Sequence, residues 1–180
     1  MSSRKGGVLF PLLLLVLVCH VFSLASASDA DIQKACAATD FPADCVAFLK
    51  GEPGSLEADL RGLAKIALHL SQRNASDTFA AMGNLAPVIL HLDPRLRVPL
   101  GFCLQIYPGG VLDSIQTALK AIDDGDFNLA STSAAACGSR VTDCEKTFKE
   151  MQLTSPLKQQ DCLQIKLCTV ACELAVQLDH

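Results

Sequence analysis

The chain has 180 residues, half of them hydrophobic, with 15 Lys and Arg against 19 Asp and Glu and a net charge of −4. That balance, with no Lys/Arg cluster to overrule it, argues against a nucleic-acid partner and suits a basic protein partner better. Leu and Ala dominate, Tyr occurs once and Trp is absent, and there are no alternating apolar–polar runs of the kind a β-rich fold needs.

At the amino terminus, Arg4 and Lys5 precede an almost unbroken apolar run from Val8 to Val18, and Ala25-Ser26-Ala27 places small residues where a signal peptidase reads. This order predicts a secretory signal over residues 1–27, cleaved between Ala27 and Ser28. The run is short for a bilayer span and the cleavage site follows it directly, so a membrane anchor is the weaker reading. Cleavage leaves 153 residues with a net charge of −6, enough for one domain with a single core. No later apolar run is long enough to cross a membrane, so a secreted protein is expected.

Two short helices are predicted first, over Asp29 to Ala38 and Pro42 to Lys50, with Pro42 at the favoured N1 position. Cys36 and Cys45 flank the turn Thr39-Asp40-Phe41, so a bridge between them would clip a helical hairpin. Gly51-Glu52-Pro53-Gly54 breaks the chain. A long helix follows with Ser55 as N-cap, and Leu56, Leu60, Leu63, Ala67 and Leu70 form its seam. Asn74-Ala75-Ser76 is an N-glycosylation sequon, which in a secreted chain marks an exposed position. Asn74 falls next on the seam, where a glycan does not fit. Either the stripe shifts there to Phe79, Met82 and Ala86, or the sequon is silent. Pro87 and the stretch Asp93-Pro94 to Val98-Pro99 end the element.

The second long helix starts near Leu100, with Leu104, Tyr107, Val111, Ile115, Ala118 and Ile122 as its stripe. Pro108-Gly109-Gly110 lies inside it, where proline costs about 3 kcal/mol and each glycine about 1 kcal/mol against alanine, so a kink is predicted. Asp123-Asp124-Gly125 connects tightly to a third helix over roughly Asp126 to Phe148. A Lys149–Ser155 loop leads to a fourth with Pro156 in its first turn and Leu163, Leu167, Val170, Leu174 and Leu178 as apolar positions. The sum is all-α: an up-down-up-down four-helix bundle over residues 55–180 with an N-terminal α-helical hairpin over 28–50, together one domain.

Nine cysteines are present and Cys19 leaves with the signal. The remaining eight are Cys36, Cys45, Cys103, Cys137, Cys144, Cys162, Cys168 and Cys172. An even count in an oxidising compartment reads as a disulfide framework, with roughly a hundred full pairings open. A zinc site is the weaker alternative, because there is no Cys-x-x-Cys and no paired His. No adjacent Cys-Cys or Cys-x-Cys occurs, which sets the chain apart from plant lipid-transfer proteins. Nor is there a catalytic constellation. No Gly-x-Ser-x-Gly elbow is found, and His69, His91 and His180 lie in unrelated settings. Asp123, Asp124 and Asp126 lack EF-hand spacing, and Gly109-Gly110 follows no strand. The expectation is a non-enzyme with no cofactor and no metal.

Cys36-Ala-Ala-Thr39-Asp-Phe-Pro42-Ala-Asp-Cys45 resembles the Cys-x-x-Thr-x-x-Pro-x-x-Cys opening of the plant invertase and pectin methylesterase inhibitors. Cys103-x-x-x-Tyr107, Gly125-Asp126-Phe127, Ser133-Ala134-Ala135-Ala136 with Cys144-Glu145-x-x-Phe148, Ser155-Pro156-Leu157 and Leu167-Cys168 are similar to later blocks of that family, in order. The resemblance implies disulfides Cys36–Cys45 and Cys103–Cys144, worth about 3 and 4 kcal/mol in the chain-entropy model. It marks Cys168 as a position often left unpaired and leaves Cys137, Cys162 and Cys172 unassigned.

The resemblance also implies a stoichiometric inhibitor that covers the active-site cleft of a cell-wall enzyme, in the apoplast. Some invertase inhibitors carry Pro-Lys-Phe at the link into the third helix, whereas this chain reads Gly125-Asp126-Phe127-Asn128. That favours a pectin methylesterase, in a 1:1 complex, over an acid invertase. Gln105, Gly109 and Leu112 stand where pectin methylesterase inhibitors tend to be acidic, which cuts the other way. The partner-facing residues expected are Gln105, Tyr107, Asp113, Gln116, Asp126, Phe127 and Asn128. A secreted bundle without an enzyme target, or one with a ligand pocket in its core, are the readings from other classes.

Overall fold

The structure, a computed structural model, describes residues 28–180, so the predicted signal and Ala27 of its cleavage site lie outside the described residues. Helix α1 (Asp29–Ala37) opens on a capping box, in which the Ser28 amide and hydroxyl donate to Asp31 Oδ2 at 2.8 and 2.9 Å. Helix α2 (Pro42–Lys50) starts on its proline, and the Cys36–Cys45 disulfide clips the two together.

Ser55 does not cap the next long helix. It opens a short 3-10 turn (Ser55–Glu57), and its buried hydroxyl donates to the Leu49 and Glu52 carbonyls, fastening the end of the hairpin. Asp59 caps instead, accepting from the Gly62 amide at 2.7 Å at the start of helix α3 (Leu60–Leu92). The α3 seam also differs from expectation. Leu56 is exposed, and beyond Leu63 and Ala67 the buried stripe passes through Ser71, Ala75 and Thr78 to Met82 and Ala86. Pro87 does not end the helix, which runs on to Leu92 without the bond that residue 87 would donate to Gly83. At about 1.5 Å per residue its 33 residues span roughly 50 Å.

After a second 3-10 turn (Pro94–Leu96) the chain enters α4 (Arg97–Ile106), a π-helical segment (Tyr107–Leu112) and α5 (Asp113–Asp124) in unbroken succession. At Pro108, where a kink is expected, the winding continues unbroken as the π segment: the ladder widens to i→i+5 spacing, which accommodates the missing donor and the crowding of the proline ring. The stripe from Tyr107 to Ile122 is buried throughout. Gly125 closes α5 at φ +78°, a left-handed conformation open to glycine at little cost. Helix α6 (Phe127–Glu150) then starts from the Asp126 cap, which accepts from the Leu129 amide at 2.9 Å. Pro156 and Leu157 lie in the turn before α7 (Lys158–Val176) rather than in its first turn.

These elements form the four-helix bundle, with the chief faces between α6 and α7, α3 and α7, and α5 and α6. The hairpin leans on α7 and the start of α3. The Asp40 amide donates to Glu173 at 3.0 Å, Lys166 pairs with Asp44 at 2.8 Å, and Arg73 pairs with Glu52 at 2.6 Å. Cys103 is bonded to Cys144, and Cys168 to Cys137, so Cys168 does not stay unpaired here. Two thiols remain among the described residues, Cys162 exposed and Cys172 half-buried, the latter with its pKa pushed up by burial. No strand occurs among the described residues.

Candidate functional site

A shallow groove of about 250 Å³ runs between the π segment with α5 on one side and α6 on the other. Its walls are short. Gly109 and Gly110 face Thr132, Ser133 and Ala136, with Asp113 and Thr117 along the edge. A Cβ on Gly110 would stand 3.5 Å from Arg140 Cγ and Cδ, ordinary van der Waals contact, so the arginine stem lies along the π turn. Arg140 is exposed and has no ion-pair partner among the described residues. The groove is a rigid, hydroxyl-rich strip with Asp113 and Arg140 both among its lining residues, suited to a polar protein surface more than to a small apolar ligand.

At one end of the bundle the α5–α6 link meets the start of α3. The Arg61 guanidinium lies 5.2 Å from the Phe127 ring centroid, a cation–π contact that holds Phe127 half-buried. Lys65 donates to Asp123 at 2.7 Å and holds that carboxyl below its ordinary range. Of the expected partner-facing residues, Gln105, Asp113, Gln116, Asp126 and Asn128 are exposed. Only Asp113 lines the groove; Asp126, Phe127 and Asn128 sit at the link. Thr117, Ser133 and Arg140 belong to the strip although sequence reasoning did not single them out as contacts. The signal for the first two was hydroxyl-bearing residues on the outward positions of two adjacent helices.

Tyr107 is a correction. It is fully buried, and its hydroxyl donates to Asp161 Oδ1. The reason is periodicity: Tyr107 stands on the same inward stripe as Val111 and Ile115, so it faces the core and not a partner. Asp161 is itself fully buried, and burial pushes its carboxyl up to about 8, with the hydrogen bond and charge of Glu145 acting in the same direction and the Tyr107 hydroxyl opposing. Burial, with the Asp161 charge beside it, also drives the Tyr107 hydroxyl far above its ordinary pKa. Glu145 Oε1 is buried with no other partner, the position in which a proton held by Asp161 is shared. The Cys144 sulfur and one carboxylate oxygen each of Glu145 and Asp161 lie within 4.8 Å of one another, but Cys144 is tied to Cys103 and carries no thiolate to ligate a cation.

A second polar cluster crosses the core. Buried Gln164 donates to Ser71 Oγ at 2.6 Å, and Asn74 Nδ2 donates to Gln164 Oε1 at 2.6 Å. Asn74, expected at an exposed position, is therefore half-buried. Of the two readings open at this position, the packed line of α3 does shift past Asn74 to Met82 and Ala86. His69, His91 and His180 are all exposed, and no described helix is long and apolar enough to cross a membrane.

Comparison with known proteins bears on this arrangement. The sequence profile described as plant invertase/pectin methylesterase inhibitor matches residues 30–174. A pectinesterase inhibitor of Actinidia deliciosa is 26% identical over 94% of this chain and 92% of its own length. A cell wall / vacuolar inhibitor of fructosidase from Arabidopsis thaliana is 28% identical over 78% of this chain and 81% of its own. Among solved structures, a mutant form of a pectin methylesterase inhibitor from Arabidopsis superposes with a TM-score of 0.69 at 20% identity, covering 83% of this chain and 97% of that one, a likeness of fold.

Proposed function

The chain belongs to the plant invertase/pectin methylesterase inhibitor family, whose members are inhibitors and not catalysts, and on that premise we propose that it is secreted to the cell wall and inhibits a pectin methylesterase. The protein docks as a 1:1 complex, with the α5–α6 strip laid over the active-site cleft of the enzyme. Gln105, Asp113, Gln116, Asp126, Asn128 and Arg140 supply its polar contacts.

The observation that carries the choice of target is the α5–α6 link. It presents Gly125-Asp126-Phe127 without the Pro-Lys of some invertase inhibitors, and Phe127 is folded back under Arg61 instead of projecting outward. A rigid bundle face suits the role, because little conformational entropy is lost on docking. The competing reading, an acid invertase as target, draws support from the fructosidase inhibitor, as similar to this chain as the pectinesterase inhibitor is. A paired titration decides between them: purified protein is added to a pectin methylesterase and to an acid invertase, and native mass spectrometry reads the stoichiometry. Inhibition of the invertase alone transfers the function to the second target, and inhibition of neither leaves the family assignment as a statement of fold.

A further inference from the structure

A second concavity, sharing no lining residue with the α5–α6 strip, opens where the last turns of α6 meet the loop into α7. It is an open groove of about 640 Å³. Lys146 and Lys149 enter it from α6, and Lys158 from the first turn of α7. All three are exposed. Lys146 approaches Glu150 at 3.8 Å, an exposed pair of little energetic weight, while Lys149 and Lys158 form no ion pair among the described residues. In a chain of net charge −4, this groove is a local reversal of sign. Glu145 is its only acidic lining residue, and the buried Oε1 of that carboxylate belongs to the Asp161 pair rather than to the open groove.

The rest of the lining is not that of a simple anion site. Leu153, half-buried above the fully buried Phe148, makes an apolar patch. Beside it, Thr154 and Gln152 offer neutral donors and acceptors. Gln152 is held at φ +56°, the one non-glycine residue in the left-handed region among those described.

We propose that this groove binds an acidic oligosaccharide, a short run of uronate units. Carboxylates repeated along such a chain meet lysines set on separate helices. Its hydroxyls match Thr154 and Gln152, and the C–H faces of its rings lie on Leu153. A phosphate or sulfate ion would use the lysines alone and leave the apolar patch and the amide idle. The choice of uronate rests on the function proposed above, since hydrolysis of pectin methyl esters produces these carboxylates. The inhibitor would then be retained where de-esterification has already occurred, with the α5–α6 strip free.

The test uses the whole mature chain and no enzyme. Isothermal titration with a short de-esterified oligogalacturonide, its fully methyl-esterified counterpart and inorganic phosphate should show binding of the first, none of the second and at most weak binding of the third. The affinity should fall as salt is raised. K149E/K158E should weaken binding about tenfold or more, and the milder K149Q/K158Q should weaken it less, each with unchanged circular dichroism. Equal binding of ester and acid, binding as tight for phosphate, unaltered affinity in both double variants, or no binding at all would each overturn the proposal. Because none of these readings involves inhibition, failure of the groove and failure of the inhibitor assignment are separate results.

Discussion

Replacing Asp161 by asparagine should stabilise the protein at every pH between about 4 and neutrality and flatten its pH dependence. In the folded state burial pushes this carboxyl up to about 8, against an ordinary value of 3.8. Between those values the folded chain holds a proton that the unfolded chain has lost, so stability falls as pH rises through the window. Each pH unit costs about 1.4 kcal/mol, which makes the penalty roughly 3 kcal/mol by about pH 6. That is a large share of a typical domain stability of about 5–15 kcal/mol. In D161N the amide oxygen still accepts from the Tyr107 hydroxyl, and the amide nitrogen offers Glu145 a permanent donor in place of the shared proton. The gain should therefore be near zero at about pH 3 and grow to about 3 kcal/mol near pH 6. Urea denaturation of both proteins, followed by far-ultraviolet circular dichroism across this range, measures it. Parallel pH profiles, or a variant less stable than the parent near pH 6, would refute the reasoning.

Non-reducing peptide mapping should recover Cys36–Cys45, Cys103–Cys144 and Cys137–Cys168, with two thiols per chain. Exposed Cys162 should react with a thiol reagent well before half-buried Cys172; equal rates would contradict the placement of α7. Intact mass of the protein secreted from plant cells should show no glycan on Asn74, because its half-buried side chain is held against Gln164 on α7. Asp126→Ala, which removes the cap of α6, should cost about 1 kcal/mol in chemical denaturation; a change within error would mean the Leu129 amide finds another partner.

Where apolar spacing carried the information, the chain could be read directly. The hairpin and the stripe Tyr107, Val111, Ile115, Ala118 and Ile122 are placed as periodicity demands. Reading broke down where polar residues occupy inward positions. Asp161 and Gln164 are fully buried on α7, while Leu163 between them is 38% exposed, so a seam drawn through apolar residues holds at Leu167, Val170 and Leu174 but misses the inward positions of the first turns. On α3 the same error followed Leu70 to Asn74, when the packed line continues through Ser71 and Ala75. Such residues are tolerated inside because each finds a partner on another helix, information that no local pattern contains. Tyr107 was misassigned to the surface for a different reason: a motif says that a residue matters without saying which way it faces.

The π segment has a consequence for how this surface can diverge. A one-residue deletion between Tyr107 and Leu112 that restored ordinary winding would leave α5 close to its present aim, because six residues at the wider pitch turn about as far as five α-helical ones. Asp113 and Thr117 would stay on the rim and the inward stripe on the core. The same deletion inside α4 or α5 would turn everything after it by about 100°, off a core that the Cys103–Cys144 disulfide pins on the upstream side. The wide turn is thus the one stretch of this long rod where the residue count can change by one without re-aiming the docking face.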